Sequence, residues 1–162
     1  MLEVKVEAVV IDNTTDSPVM LLRERDGDRV LPVFIGPFEA SAIAYALQGT
    51  QFTRPLTLDL FKLVIQGLGG RVARVIVTRL EQETFYAEVV LEKNGQVVAI
   101  DARPSDSVGL ALVTGAPIYV AEAVMDEAGR WLSPEDEERL KELRAKLRNI
   151  DPEEFGNYQI EP

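Results

Sequence analysis

The chain has 162 residues, in which 17 basic side chains stand against 27 acidic ones, and it contains no histidine and no cysteine. The length suits one domain with a sizeable core. The missing residue types exclude disulfides, thiol nucleophiles, the usual zinc sites and every mechanism that uses imidazole as a base or ligand. The formal net charge of −10 opposes binding to a polyanion, because nucleic-acid affinity depends on Lys and Arg that neutralise phosphates.

The first residues, MLEVKVE, alternate charged and apolar side chains. They lack the basic start, apolar run and cleavage site of a secretory signal, and no apolar stretch approaches membrane-spanning length. We therefore expect a cytoplasmic protein without a membrane partner.

Strand patterns come first along the chain and helical patterns follow. Three stretches have the periodicity of strands: 4–11, 19–23 and 30–35. An Asp26-Gly27-Asp28 turn separates the last two, which is a hairpin signal. Two helical stripes follow: 40–47, ending near Gly49, and 56–68, ending at Gly69-Gly70.

The second half of the chain repeats this plan. Strands are predicted over residues 72–80, 84–91 and 97–100, followed by a helix that opens at Arg103-Pro104 and runs through Leu112. Pro37 and Pro104 are separated by 67 positions, and so are Glu39 and Asp106. The sequence thus predicts an α+β fold in which a duplicated three-strand-plus-helix unit forms a mixed or antiparallel sheet packed by helices about a pseudo-twofold.

The end of the chain has a different character. After a strand at 117–121, Ser133-Pro134 supplies a helix cap and a first-turn proline, and Asp136 follows as the acid of the first turn. We expect a main domain over residues 1–125 and a C-terminal helical extension over residues 126–162, packed on or beside it.

Three clusters at predicted helix starts hold the candidate chemistry. They are Gly36–Ala40, Arg54–Asp59 and Asp101–Asp106. Without imidazole, phosphodiester hydrolysis would need water activated by a carboxylate or a hard metal ion, and Mg²⁺ or Mn²⁺ prefers carboxylate oxygens. Asp59, Asp101 and Asp106 are the candidate metal ligands, with Glu39 as a second choice, and no organic cofactor is expected.

Arg54 and Arg103 would then bind the phosphate and stabilise the charge that develops in the transition state. The same residues have a purely structural interpretation. Acidic side chains at helix starts interact favourably with the helix dipole, and the arginines could form salt bridges with those same aspartates. Spacing alone leaves both interpretations open.

The clusters together resemble, in order and spacing, the bifunctional nuclease domain family of bacteria and plants. The resemblance spans about residues 3–125 and rests on four stretches: Phe38–Ala44, Arg54–Leu60, Thr84–Ala87 and Asp101–Asp106. Residues 151–156 are also similar to the tail of bacterial members. The resemblance implies an α+β fold, a homo-oligomer, for which we favour a dimer, and a nuclease activity on DNA and RNA.

Two positions depart from the family pattern. The family usually has histidine at position 58, where this chain has Leu58, and its second motif usually continues with Ala-Ile-Ala-Leu-Ala, where this chain has residues 107–111, SVGLA. The first departure removes the imidazole that the motif could offer. Two hypotheses follow: a metal-dependent nuclease that uses Asp59, Asp106, Arg54 and Arg103, or a non-catalytic oligomeric binding or regulatory module.

Overall fold

A computed structural model describes the backbone of residues 1–147 and the side chains of residues 1–142. Within these residues the chain forms eight strands: β1 Leu2–Ile11, β2 Pro18–Glu24, β3 Arg29–Phe34, β4 Arg71–Glu81, β5 Thr84–Lys93, β6 Gln96–Ala102, β7 Ile118–Val120 and β8 Arg130–Trp131. It also forms five helices: α1 Pro37–Gln48, α2 Thr57–Gly67, α3 Pro104–Thr114, α4 Glu122–Ala128 and α5 Pro134–Leu147. The stretch 151–156, similar to the family's tail, lies outside the described residues.

The eight described strands form one mixed sheet in the order β6-β5-β4-β7-β1-β2-β3-β8. The meander β1-β2-β3 leads into α1, and the meander β4-β5-β6 leads into α3, so each half of the sheet is one copy of the repeated unit. Short strand β7 joins the halves, because it runs antiparallel to β1 and parallel to β4. The predicted α+β duplication is confirmed.

Helices lie against both faces of the sheet. Met20 and Leu22 of β2 point into the larger core, where they meet Ile43 of α1 and Val108 of α3. Val19 and Leu21 alternate with them and point to the other face, in a smaller cluster that contains Leu140 of α5. The described part of the C-terminal segment therefore packs against the sheet, and β8 extends the sheet beside β3.

Helix α2 forms where the sequence predicts it, but most of its apolar stripe is not buried. Ile65 is its one buried residue, whereas Leu60, Phe61, Val64 and Leu68 are each half exposed or more. Only a narrow strip of the α2 surface contacts the rest of the molecule. Its remaining apolar surface faces outward.

Two elements have no clear signal in the sequence. Helix α4 is only 7 residues long and β8 only 2, so neither contains a full hydrophobic period. No helix in the described part of the chain is long and apolar enough to cross a membrane.

Candidate functional site

The guanidinium of Arg103 lies between the starts of α1 and α3. Its Nε and Nη2 donate to the two carboxylate oxygens of Asp106 at 2.7 and 3.0 Å, and its Nη1 donates to Oε1 of Glu39 at 2.8 Å. The pair with Asp106 is the bidentate fork that suits a planar guanidinium. One arginine thus holds two carboxylates that are 67 positions apart in the chain.

The duplication explains why these groups meet. Glu39 and Asp106 are equivalent positions of the two repeats, and each lies in the first turn of its helix after a proline at the helix start. The position equivalent to Arg103 in the first repeat is Gly36. A Cβ at Gly36 would lie 2.1 Å from Oε2 of Glu39, so the missing side chain leaves the space that the Glu39 carboxylate occupies. The two repeats therefore differ at this position: only the second repeat has an arginine, and that arginine pairs with the carboxylates of both repeats.

The cluster combines strong pairing with access to solvent. The hydrogen bonds that Arg103 donates, first to Asp106 and second to Glu39, raise the pKa of Arg103 above its usual range, so the guanidinium stays charged. Its side chain is 63% exposed, that of Asp106 is 50% exposed and that of Glu39 is 22% exposed. A ligand in solvent can therefore reach Arg103 and Asp106, while Glu39 is the more enclosed partner.

Asp59 is placed elsewhere, at the start of α2. Its Oδ2 accepts the backbone N–H of Leu56 at 3.1 Å, which satisfies a donor that the helix leaves unpaired. The residue before α2, Leu56, has no polar side chain to complete a reciprocal cap. Asp59 therefore has the structural role of a helix cap in this geometry.

Asp59 also lines an open groove of about 460 Å³ between α1 and the start of α2. Three aromatic residues, Phe38, Tyr45 and Phe52, lie along this groove, and the rings of Tyr45 and Phe52 meet edge to face at 4.8 Å. Phe38 and Tyr45 are seven residues apart on one face of α1, whereas Phe52 lies in the loop beyond that helix, so helical periodicity does not predict that the three aromatics meet.

Asp101 lies on β6, the strand that ends just before α3. Its neighbours Ile100 and Ala102 pair with Val89 and Ala87, both of which are buried beneath the helices. Since side chains alternate along a strand, Asp101 belongs to the opposite face, where it pairs with Glu88. The residue contributes to the edge of a cavity near Asp106, but the alternation directs its carboxylate away from the Arg103 cluster.

Arg54 lies in the exposed loop before α2 and forms no ion pair with any described residue. The structure thus brings Arg103, Asp106 and Glu39 together and leaves Asp59, Asp101 and Arg54 apart from them. Glu39, which the sequence ranked second, is part of the central cluster.

A second cavity, of about 310 Å³, lies between α2 and the sheet and has mostly apolar walls. Leu58 lines both this cavity and the groove beside α1, so position 58 forms the wall between them. Its side chain points at Gly109 of α3, where a Cβ would lie 2.7 Å from the Leu58 Cδ1. The two departures from the family motifs are therefore in direct contact.

Among residues 1–142, no group of three or more acidic side chains is placed to hold a metal ion. A cage made by Asp59, Asp101 and Asp106 does not fit this geometry. Glu39 and Asp106 have the hard oxygen donors that Mg²⁺ and Mn²⁺ prefer, and Mg²⁺ is often held by one or two carboxylates while water and substrate phosphate supply the other ligands. These two residues are the pair that could hold such an ion.

Comparison with known proteins gives a consistent result. A model of the bifunctional nuclease domain matches residues 20–132. The chain is 41% identical over 156 residues to a Mycobacterium tuberculosis protein named as uncharacterised, a match that covers 96% of this chain and 92% of that one.

Plant proteins match a shorter region. The chain is 28% identical over 114 residues to Bifunctional nuclease 2 of Oryza sativa subsp. japonica, covering 68% of this chain and 35% of that protein. It is 29% identical over 107 residues to Bifunctional nuclease 1 of Arabidopsis thaliana, covering 64% of this chain and 33% of that protein. The match thus spans about a third of the length of these plant relatives.

Proposed function

The chain belongs to the bifunctional nuclease domain family, and on that premise we propose that it hydrolyses phosphodiester bonds of DNA or RNA at the Arg103–Asp106–Glu39 cluster. The observation that carries the proposal is the exposed, permanently charged guanidinium of Arg103, held between two carboxylates at the starts of two helices. The cluster therefore places a side chain that can bind phosphate next to two carboxylates that can activate water.

Substrate phosphate binds on the Nε–Nη2 edge of Arg103, because the guanidinium fork matches two phosphate oxygens as well as it matches a carboxylate. Helices α1 and α3 both begin here without a side-chain cap, so first-turn N–H groups and the helix dipoles also favour an anion. Phosphate binding displaces Asp106 from Arg103. The arginine is then paired with the substrate, and the carboxylate is free.

The released Asp106 carboxylate accepts a proton from water as the water oxygen attacks phosphorus. The ester P–O bond breaks, and the leaving oxygen takes a proton from solvent. Arg103 stabilises the charge that develops on the phosphate oxygens. A bound Mg²⁺ or Mn²⁺, held by Glu39 and Asp106, would neutralise further phosphate charge.

The test is cleavage of single-stranded DNA, duplex DNA and RNA with Mg²⁺, with Mn²⁺ and with a chelator. We expect Asp106→Asn and Arg103→Ala to lower the rate by on the order of 100-fold or more, because each removes a group that acts in the transition state. Asp126→Asn is the matched control, since Asp126 is also an exposed carboxylate bound to an arginine, at 2.7 Å from Arg29.

Asp59→Ala separates the capping role from a catalytic one. We expect it to lower the free energy of unfolding by about 1 kcal/mol, the usual worth of a helix cap, and to leave the cleavage rate within a few-fold. Cleavage that persists in both Asp106→Asn and Arg103→Ala would rule out this site.

A non-catalytic oligomeric binding or regulatory module is the second candidate function. It is favoured by the pairing of Asp106 and Glu39 with Arg103 and by the capping role of Asp59, since each carboxylate has a structural partner. Absence of cleavage by the unaltered protein under every metal condition would select this function over the first.

A further inference from the structure

Helix α2 has a narrow polar strip, made by Asp59, Lys62 and Gln66, and apolar side chains around most of the rest of its circumference. Leu58 and Ile65 face the core, and five further apolar side chains on the helix and the residue that follows it are each half exposed or more: Leu60, Phe61, Leu63, Val64 and Leu68. An apolar stripe much wider than one face is normally buried on more than one side. In this chain by itself, the outer side of α2 has nothing packed on it among the described residues.

The neighbouring edge of the sheet is also unprotected. Strand β6 is the terminal strand of the described sheet, so one side of its backbone has no strand to pair with. Its sequence, QVVAIDA, has no lysine, arginine or proline, and Val97, Val98 and Ile100 are exposed. Natural edge strands are usually protected by such residues, because an open apolar edge pairs readily with another chain.

These two elements form one surface, which we call the α2–β6 face: the exposed apolar side chains of α2 and Leu68 together with Val98 and Ile100 of β6. Strand alternation places Val98 and Ile100 on the side of the sheet on which α2 lies, whereas Val97 belongs to the opposite side. Phe61 and Ile100 line the same cavity, so the two parts are contiguous. The seven apolar residues of this face are each 46–67% exposed. Soluble monomers rarely leave contiguous apolar patches larger than a few hundred Å² uncovered, and such a patch is typical of one side of a protein–protein interface, which buries about 800 Å².

We propose that the α2–β6 face is covered by the same face of a second copy of this chain. An edge strand in antiparallel pairing with its own copy satisfies a twofold axis, because each residue contacts the symmetry-related position of the other protomer. In this arrangement β6 pairs with β6 near Ala99 and joins the two sheets into one. The outer side of each α2 packs against the other protomer, beside the cavity that Asp106 lines.

The chemistry of the face favours a protein partner over a polyanion. The amine of Lys62, the only basic group of α2, donates to the carbonyl of Val113 at 3.0 Å, so it is already paired within the chain. Strand β6 contributes no cation. A surface without free positive charge on a chain of net charge −10 does not attract nucleic acid or an anionic membrane.

The absence of cysteine gives a direct test, because a single introduced thiol is then the only one in the chain. Ala99→Cys is treated with a short bis-maleimide at the concentration at which light scattering gives the mass of the unaltered protein. We expect most of the Ala99→Cys protein to become covalent dimer. Thr14→Cys, an exposed position in the turn between β1 and β2, is the matched control and is expected to stay monomeric on denaturing gels.

A second variant tests the helix. Val64→Lys places a charge in the centre of the face at a position already half exposed, so the fold tolerates it, and we expect at least a tenfold increase in the dimer dissociation constant. Ile11→Lys is the control, an exposed apolar residue outside the face. Both comparisons use binding and mass alone, so they are independent of whether the chain cleaves nucleic acid.

Three outcomes would overturn the proposal. One is an unaltered protein that stays monomeric at high micromolar concentration. Another is a dimer that neither crosslinks through Ala99→Cys nor weakens with Val64→Lys, which would put the interface elsewhere. The third is a monomer that cosediments with phosphatidylcholine vesicles unless Val64 is changed to lysine, which would identify a lipid surface as the occupant.

Discussion

Leu58 and Gly109 form one contact between α2 and α3. The Leu58 methyl group occupies the space in which a Cβ at position 109 would lie, at 2.7 Å. Gly109 is buried in the interior of α3, where glycine is otherwise unfavourable by about 1 kcal/mol relative to alanine. We interpret the two departures from the family motifs as one coupled change, in which the helix gives up a methyl group to accommodate leucine.

This contact predicts a coupling between two substitutions. Gly109→Ala should gain helix propensity but collide with Leu58, whereas in the Leu58→Ala background the gain remains and the collision is absent. We therefore expect Gly109→Ala to be more stabilising by about 1 kcal/mol in Leu58→Ala than in the unaltered protein. Urea denaturation of the four proteins at one fixed concentration measures it, and equal effects in both backgrounds would contradict the contact.

At the scale of elements, α5 is held on the sheet by one apolar residue and one charged cluster. Leu140 is buried against Val19, Leu21 and Val30. Arg23 of β2 joins Glu7 of β1, at 3.3 Å, to Glu137 of α5, at 2.7 Å. Burial acts to lower the pKa of Arg23, but the hydrogen bond to Glu137 and the charges of its acidic neighbours outweigh it and raise that pKa.

The β1 bulge helps to place this cluster. The register of β1 against β2 shifts between Val6 and Ala8, so Glu7 is the extra residue of the strand. The bulge lets a carboxylate point into the face on which α5 lies. The attachment of α5 therefore involves the bulge of β1 as well as the apolar contact of the helix.

Loss of the apolar anchor should release the helix. We expect Leu140→Ala to lower the free energy of unfolding by about 2–3 kcal/mol and to expose residues 132–142 to proteolysis. Lys141→Ala is the control on the same helix, because Lys141 is exposed and its ion pair with Glu138 contributes little. Equal protease sensitivity of the two variants would mean that Leu140 does not hold α5.

At the scale of the whole molecule, the duplication is what creates the candidate site. The two halves of the sheet bring α1 and α3 side by side, and their starts converge on Arg103. The same arrangement leaves β6 at one end of the sheet, where the first half has β8 beyond its third strand. The covered edge and the open edge are thus equivalent places in the two repeats.

The proposed dimer predicts that stability depends on protein concentration. Dissociation accompanies unfolding of a dimer, so a tenfold rise in concentration should add about 1.4 kcal/mol per dimer to the free energy of unfolding. We expect thermal midpoints of the unaltered protein and Ile11→Lys to rise with concentration and that of Val64→Lys to change less. A concentration-independent midpoint for the unaltered protein would argue against the dimer.

The sequence by itself determined the α+β class, the repeat and most element positions. These follow from local features: apolar periodicity, the Asp26-Gly27-Asp28 turn and the prolines that open α1 and α3, all of which depend on residues close together in the chain. It also placed Arg103 and Asp106 in one cluster at a helix start, but it left open whether they pair with each other or bind a ligand.

Only the tertiary structure decided which distant groups meet. Glu39 joins Arg103 because the pseudo-twofold brings two helix starts together, and Asp101 is separated from Asp106 because strand alternation turns its side chain to the other face. Periodicity likewise does not predict the outward position of α2. It indicates that the helix has an apolar stripe, but it does not indicate whether the rest of the chain covers that stripe. Contacts between residues far apart in sequence depend on how the elements pack, and the packing is set by the whole chain.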